Sequence, residues 1–205
     1  MKIIYLGHSC FKIESQGYSV IFDPYQDGKV PGYRPIRETA NEAICSHGHG
    51  DHCGVENVTL TQGGASPFTV ETIDTWHDDQ QGALRGSDTI HILDDGQCRI
   101  AHLGDLGCEL TPEQKERLRG LTALLIPVGG YYTIDAAQAS ALADELDPTV
   151  VIPMHYRGEG FGYDVIGPLE SFTALRSDVR EYPGGRLELT AGTEKQTAVL
   201  KPQMV

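Results

Sequence analysis

Nothing in the 205-residue sequence approaches the roughly 18 consecutive apolar residues that a membrane span requires. The opening Met1-Lys2-Ile3-Ile4-Tyr5-Leu6 turns polar at Gly7-His8-Ser9, too soon for the apolar core of a secretory leader. Cations are scarce: 16 Lys and Arg stand against 29 Asp and Glu, a formal net charge of −13. That sign disfavours tight binding to a nucleic-acid backbone or an anionic membrane, local basic patches excepted. The five cysteines (Cys10, Cys45, Cys53, Cys98 and Cys108) are odd in number and contain no C-x-x-C pair. The pattern argues against a disulfide framework and against a cysteine-type structural zinc knot, and it reads as a soluble protein of the reducing cytoplasm.

Hydrophobic residues make up 40% and charged residues 22%, so the chain is neither disordered nor fibrous. With 24 Gly and 11 Pro, turns and strand ends are favoured over a helical bundle. No repeat or shift in composition divides the chain, and residues 1–205 are expected to form one domain with a sizeable core. Alternation predicts strands over Lys2–Leu6, Cys10–Glu14 and Tyr18–Asp23, then Ala43–Ser46, Phe68–Trp76, Thr89–Leu93 and Arg99–Leu103. Pro24–Asn41 lacks either period and reads as a long loop, with Tyr33, Arg34 and Arg37 placed where they would cap an anionic substrate or lie as solvated surface. Thr111-Pro112-Glu113-Gln114 is a helix start. Strands at Leu121–Val128 and Thr149–Pro153 alternate with helices at Asp135–Leu146 and Pro168–Arg176. A strand-rich first half followed by βαβα suits helices packed outside two stacked sheets.

What the sequence concentrates is imidazole and carboxylate at strand ends. The run His47-Gly48-His49-Gly50-Asp51-His52 places three imidazoles and a carboxylate within six residues, with glycines that let the backbone curl around a small object. These donors suit zinc, manganese or iron(II), and without thiolate spacing they point away from a purely structural site. Imidazoles two apart face one way, and the adjacent Asp51 and His52 another. The run therefore suggests two ions side by side, completed by residues that follow later strands: His77, Asp105 and His155. Two such ions activate water and polarise a substrate oxygen, which is hydrolytic machinery.

The stretches Gly7-His8-Ser9, Ile21–Pro24, His47–His52, Trp76-His77-Asp78, Ala101–Leu106, Pro127–Gly130 and Pro153–Tyr156 follow one another as in a known family. The chain resembles a small member of the metallo-β-lactamase-fold superfamily, among the bacterial metal-dependent hydrolases grouped with ascorbate-6-phosphate lactonase-like proteins. The resemblance implies an α+β fold, an αββα sandwich of two mixed sheets packed face to face with helices outside. It assigns His47, His49 and His77 to one metal, and Asp51, His52 and His155 to the other, with Asp105 bridging. Asp23 would support the ligand loop from behind, and Asp51 and Asp105 would be the catalytic carboxylates. Relatives with a di-iron redox centre carry Glu where this chain has His49, and antibiotic-hydrolysing relatives commonly carry Cys where it has Asp105. RNA-processing relatives carry an extra arm for which 205 residues leave no room.

The implied activity is hydrolysis of an ester, lactone or phosphodiester-type small substrate by a metal-bridging hydroxide. The cofactor is two divalent ions, zinc in the first place with manganese or iron accepted. The expected partner is a small molecule, an anionic one among the options, with neither nucleic acid nor membrane. The rivals are a nuclease or RNA-processing phosphodiesterase, which needs a basic stripe, and a metal-binding protein without turnover. Lys115, Arg117 and Arg119 are the only dense basic cluster and read as one exposed helix face. His8 is open between a hydrogen-bonding or proton-transfer group beside the cleft and a packed strand end. Tyr132 and Tyr156 are open between substrate pocket and aromatic core. His91, His102 and Cys53 read as structural.

Overall fold

The computed structural model describes residues 1–203. It opens with β1 (Lys2–Gly7), β2 (Cys10–Ser15) and β3 (Tyr18–Phe22), an antiparallel meander. Their alternation is two-sided: Ile3, Tyr5, Phe11, Ile13, Val20 and Phe22 enter the main core, while Leu6, Cys10 and Ile21 enter a second apolar cluster on the opposite face. Tyr25, Val30, Tyr33 and Ile36 cover that second cluster. The long loop is therefore a lid on the first sheet, and it ends in a short strand, β4 (Glu38–Ala40).

β5 (Glu42–Ile44) runs parallel to β3, and β6 (Val58–Leu60) pairs with β4 in a small two-stranded sheet. β7 (Thr69–Trp76), β8 (Ser87–Asp94) and β9 (Arg99–His102) form a second meander. Crossovers then take over. α1 (Pro112–Arg117) and α2 (Ala136–Leu146) each begin with a reciprocal capping box, Thr111 with Gln114 and Asp135 with Gln138. They lead into β10 (Ala123–Pro127) and β11 (Val150–Met154), which are buried along their whole length, as parallel strands covered on both faces should be. The helix expected at Pro168–Arg176 is only the single turn α3 (Glu170–Thr173): Leu169 offers no side-chain cap, and Arg176 leaves the helix to pair with Asp144. Three strands that the sequence reading did not anticipate follow: β12 (Val179–Tyr182), β13 (Arg186–Glu188) and β14 (Gln196–Leu200).

Two mixed sheets result, in the orders β13-β1-β2-β3-β5 and β12-β14-β11-β10-β9-β8-β7, and they share one core, the α+β sandwich that the sequence implies. Strand direction positions the site. β1, β3 and β5 run the same way, and so do β7, β9, β10 and β11. Their carboxyl ends carry His8, Asp23, His47–His52, His77, Asp105 and His155, which gather at one edge of the sandwich. Among the described residues, no helix is long and apolar enough to cross a membrane.

Candidate metal centre

Each strand must turn sharply as it reaches this edge. His8, Asp23 and His155 sit in left-handed backbone (φ 55, 46 and 54), uncommon for residues with a side chain and costly unless the surroundings fix it. Gly104 is required for a different reason. A Cβ there would lie 2.3 Å from an Asp88 carboxylate oxygen and 2.6 Å from the Ser46 Cβ, so only glycine lets the β9 end pass close enough to deliver Asp105.

The donors fall into adjoining groups. The ring nitrogens of His47, His49 and His77 lie within 4.8 Å of one another, as do the ligand atoms of His8, Asp51, His52 and His155. Asp105 stands between them: its Oδ2 is 3.1 Å from His52 Nε2, 3.2 Å from His77 Nε2 and 3.3 Å from His155 Nε2. His49 is exposed while His8, His52 and His155 are fully buried, so the first group faces solvent and the second lies beneath it.

The outward nitrogens are tied down. His52 Nδ1 lies 2.7 Å from Asp23 Oδ2, His77 Nδ1 is 3.1 Å from the Tyr132 carbonyl, and His47 Nδ1 is 3.0 Å from Ser46 Oγ. Asp23 also accepts the Ser46 N–H and hydroxyl, both at 2.6 Å. Such partners fix each ring so that Nε2 faces inward. Other buried atoms lack partners: Nε2 of His47 and His52, Oδ1 of Asp105, and both ring nitrogens of His8 and His155, of which a metal would satisfy one per ring. Buried polar atoms are rarely left so unless something absent from the protein satisfies them. Imidazole and carboxylate are the donor set of a divalent cation, and the fit is good.

Electrostatics agree. Burial alone lowers the His52 imidazole, but the carboxylates of Asp105 and Asp23 outweigh it and hold it well above the ordinary histidine value. Burial raises the Asp105 carboxyl, yet His155 and His52 pull it well below the usual range. His8 goes the other way: burial, then His155, lowers it to about 4. Positive and negative character are thus interleaved within one small volume.

Several sequence expectations need correction. Tyr156 follows His155 but is buried, its ring among Tyr5 and Phe161, because left-handed backbone at His155 sends successive side chains apart; it lines no substrate space at the metal edge. Tyr33 and Arg37 do not offer an anion cap. Tyr33 is buried in the second cluster and Arg37 forms a forked pair with Asp27, which uses up its charge. Tyr132 is half-buried and meets the cluster first through its carbonyl. His102 is structural as read: it holds the Ser9 carbonyl and the Gly104 N–H.

Two residues were missed. Asp88, fully buried near the start of β8, accepts the Asp105 N–H at 3.1 Å and lies 3.4 Å from His47 Nδ1. Tyr163 brings its hydroxyl to 3.3 Å from Asp51 Oδ2 while donating to the Lys29 carbonyl at 2.8 Å. An aspartate opening a hairpin strand carries no local signal. For Tyr163 the only sign is the glycine spacing of Gly158, Gly160 and Gly162 before it.

Cys53 is not a plain buried side chain, and the odd cysteine count misled. Cys45 and Cys53 form a disulfide with a Cα–Cα distance of 5.3 Å, leaving Cys10, Cys98 and Cys108 free. Their separation of 8 residues rings the whole His47–His52 run. Closing so short a loop in the unfolded chain is worth about 2–3 kcal/mol. The Cys45→Ser/Cys53→Ser protein should therefore lose about that much stability in denaturant and hold an added divalent ion more weakly in competition with a chelating dye. Equal affinity for that ion in the two proteins would show that the bond does not tension the loop.

The comparisons with known proteins point the same way. The beta-lactamase superfamily domain matches residues 2–155. A UPF0173 metal-dependent hydrolase of Carboxydothermus hydrogenoformans is 28% identical over 191 residues, covering 76% of this chain and 84% of that protein. A UPF0173 protein of Pyrococcus abyssi is 30% identical over 187 residues, covering 79% and 86%. The crystal structure of a Thermotoga maritima protein, assigned as a zinc-dependent hydrolase of the metallo-beta-lactamase superfamily, superposes with a TM-score of 0.77 and 28% identity over 98% of this chain and 99% of that one.

Proposed function

This chain belongs to the metallo-β-lactamase superfamily and to its metal-dependent hydrolases, and from that premise we propose that the strand-end cluster holds two divalent ions and hydrolyses an ester, lactone or phosphodiester bond in a small substrate. The observation that carries this reading is the set of unpartnered buried atoms of His8, His47, His52, His155 and Asp105. They converge from the ends of separate strands and are too many and too buried for a single loosely held ion. His47, His49 and His77 would hold one ion, Asp51, His52 and His155 the other, and Asp105 would face both. Zinc fits these donors, as do manganese and iron(II); bound there, the ions supply Lewis acidity and an acidified water.

The chain's own residues do the rest. Asp105 would orient the attacking water, with Oδ2 central to three imidazoles. Asp51 is kept ionised: burial raises its carboxyl, but the His8 and His52 imidazoles outweigh it and draw it far below the usual range. Its Oδ2 lies 3.6 Å from His8 Nε2, and the His8 imidazole, lowered to about 4, stands neutral beside that carboxylate at neutral pH.

The partner is a small molecule rather than a nucleic acid. The basic helix face that a nuclease would use is spent on acids: Lys115 pairs with Glu145, Arg117 with Glu71 and Arg119 with Glu116. The cytoplasm as its compartment now rests on the three free cysteines alone, because the Cys45–Cys53 pair removes its other ground, a chain without disulfides.

Elemental analysis of the purified protein, joined to a panel of ester, lactone and phosphodiester substrates, tests the reading. About two equivalents of metal are expected, with hydrolysis of at least one class, loss on chelation and recovery on adding zinc. Metal retained without turnover would mean a binding protein, cleavage confined to oligonucleotides a nuclease, and a single equivalent a mononuclear site.

A further inference from the structure

Beside the cluster, the segment from Asp78 to Gly86 is held in a way that the metal alone does not require. The buried Asp78 carboxylate accepts four backbone N–H groups from this loop: Gln80 at 2.8 Å, Gly82 at 2.9 Å, Leu84 at 2.9 Å and Arg85 at 2.7 Å. Gly82, at φ +79, lies so close to Trp76 that a Cβ there would sit 2.7 Å from the indole. The loop closes where the His77 N–H donates to the Gly86 carbonyl, next to a proposed metal ligand.

This fixed loop presents Arg85. Its guanidinium carbon stands 5.5 Å from the centre of the Tyr132 ring, half-buried, with no carboxylate partner among the described residues. Of the nine other arginines, Arg37, Arg99, Arg117, Arg119, Arg176 and Arg180 each meet an Asp or Glu, and Arg34, Arg157 and Arg186, which do not, are exposed rather than half-buried. Tyr132 joins Arg85 to both halves of the cluster. Its carbonyl takes the His77 Nδ1 proton at 3.1 Å, and its ring meets Tyr163 edge-on at 6.1 Å, whose hydroxyl reaches Asp51.

We infer that Arg85, stacked on Tyr132 at the rim of the metal centre, binds an anionic head, carboxylate or phosphate, on the substrate and so sets its class. The inference rests on the hydrolase reading. Three physical points carry it. A guanidinium stacked on an aromatic face is weakly hydrated, and its planar donor fork fits either oxyanion in two-point fashion. The chain's net charge of −13 repels anions at long range, so an anionic substrate needs a local cation. An arginine serving only to cover Tyr132 would not need a loop anchored through its own backbone N–H.

The test compares 4-nitrophenyl acetate with its carboxylate-bearing counterpart, 4-nitrophenyl hydrogen succinate, on zinc-loaded wild type, Arg85→Gln and Arg85→Lys. Binding of the unreactive anions benzoate and phenylphosphonate is measured alongside by calorimetry. In Arg85→Gln, KM for the succinate should rise about tenfold, with kcat and the acetate KM within about twofold. Arg85→Lys should recover part of the loss. The anion whose binding falls more identifies the head group, carboxylate or phosphate. Equal shifts for charged and neutral esters would make Arg85 a structural prop and overturn the inference, as would unchanged binding of both anions. If wild type hydrolyses neither ester but Arg85→Gln still loses anion binding, the hydrolase reading is what fails.

Discussion

Asp105→Asn is expected to abolish turnover while leaving the sandwich folded. The substitution keeps the shape of the side chain and the strand end, but it removes the one carboxylate whose Oδ2 faces His52, His77 and His155 together. Losing an outer hydrogen-bond partner of a metal ligand costs about 10–100-fold in affinity or activity. An atom central to both donor groups should cost more, on the order of a thousandfold, because neither group is then neutralised and the attacking water is no longer oriented. His49→Ala tests the other side. His49 is exposed, so its removal costs the fold nothing, yet the solvent-facing group falls from three imidazoles to two. Metal content should fall toward one equivalent, and turnover should be lost with it. Metal analysis, thermal unfolding and rates on the same samples decide the matter; an unaltered rate in either variant would count heavily against the assignment.

That these strand-end residues would gather was legible in the sequence because strand-end chemistry is local. A ligand that follows an apolar run is marked by the run itself, and His77, Asp105 and His155 each end or follow a strand that alternation or burial predicts. The glycine-spaced run at His47–His52 carried its own geometry. What stayed hidden is what only the closing of the fold creates. Asp88 reaches the cluster because β8 runs opposite to its neighbours and starts where they end. Tyr163 arrives from a segment without either period. The Cys45–Cys53 bond eluded a rule that treats an odd cysteine count as evidence of free thiols, because pairing follows distance across a turn and not parity. The C-terminal strands were missed for a similar reason: β12 and β13 are short and largely exposed, so they lack the burial pattern that marks a strand. Tyr156, open in the sequence between substrate pocket and aromatic core, lies in the core: the left-handed turn between strand and loop sends its ring there.

Asp23→Ala should be the most damaging change at a residue that is not itself a proposed metal ligand. Asp23 is fully buried in left-handed backbone, which Asp and Asn tolerate and Ala does not. Its removal strands the Ser46 N–H, the Ser46 hydroxyl and His52 Nδ1 at once. Breaking a buried charged network from one side costs about 3–5 kcal/mol, with left-handed strain on top. Asp23→Asn separates charge from shape. Its amide keeps the backbone and one acceptor but sets an NH2 against donors, so it should lose less stability than Ala and still free the His52 ring, with zinc bound about 10–100-fold more weakly. The pH dependence gives the cause. Burial raises the Asp23 carboxyl, but His102, His52 and the Ser46 hydroxyl outweigh it and bring it to about 2. A folded value below the unfolded one, roughly 3.9, means that the stabilisation is present above that unfolded value and is lost as pH falls through about 2. His52 contributes with the opposite sign. Its folded value is raised, so its share is full below the unfolded value, roughly 6.5, and fades as pH rises through the folded one. In the metal-free protein, the stability gap between wild type and Asp23→Asn should therefore be widest from about pH 4 to about pH 6.5 and close on both sides. Denaturant unfolding across that range reads it directly. A gap that did not change with pH would mean that Asp23 holds the ligand loop by shape alone and that its charge does nothing for His52.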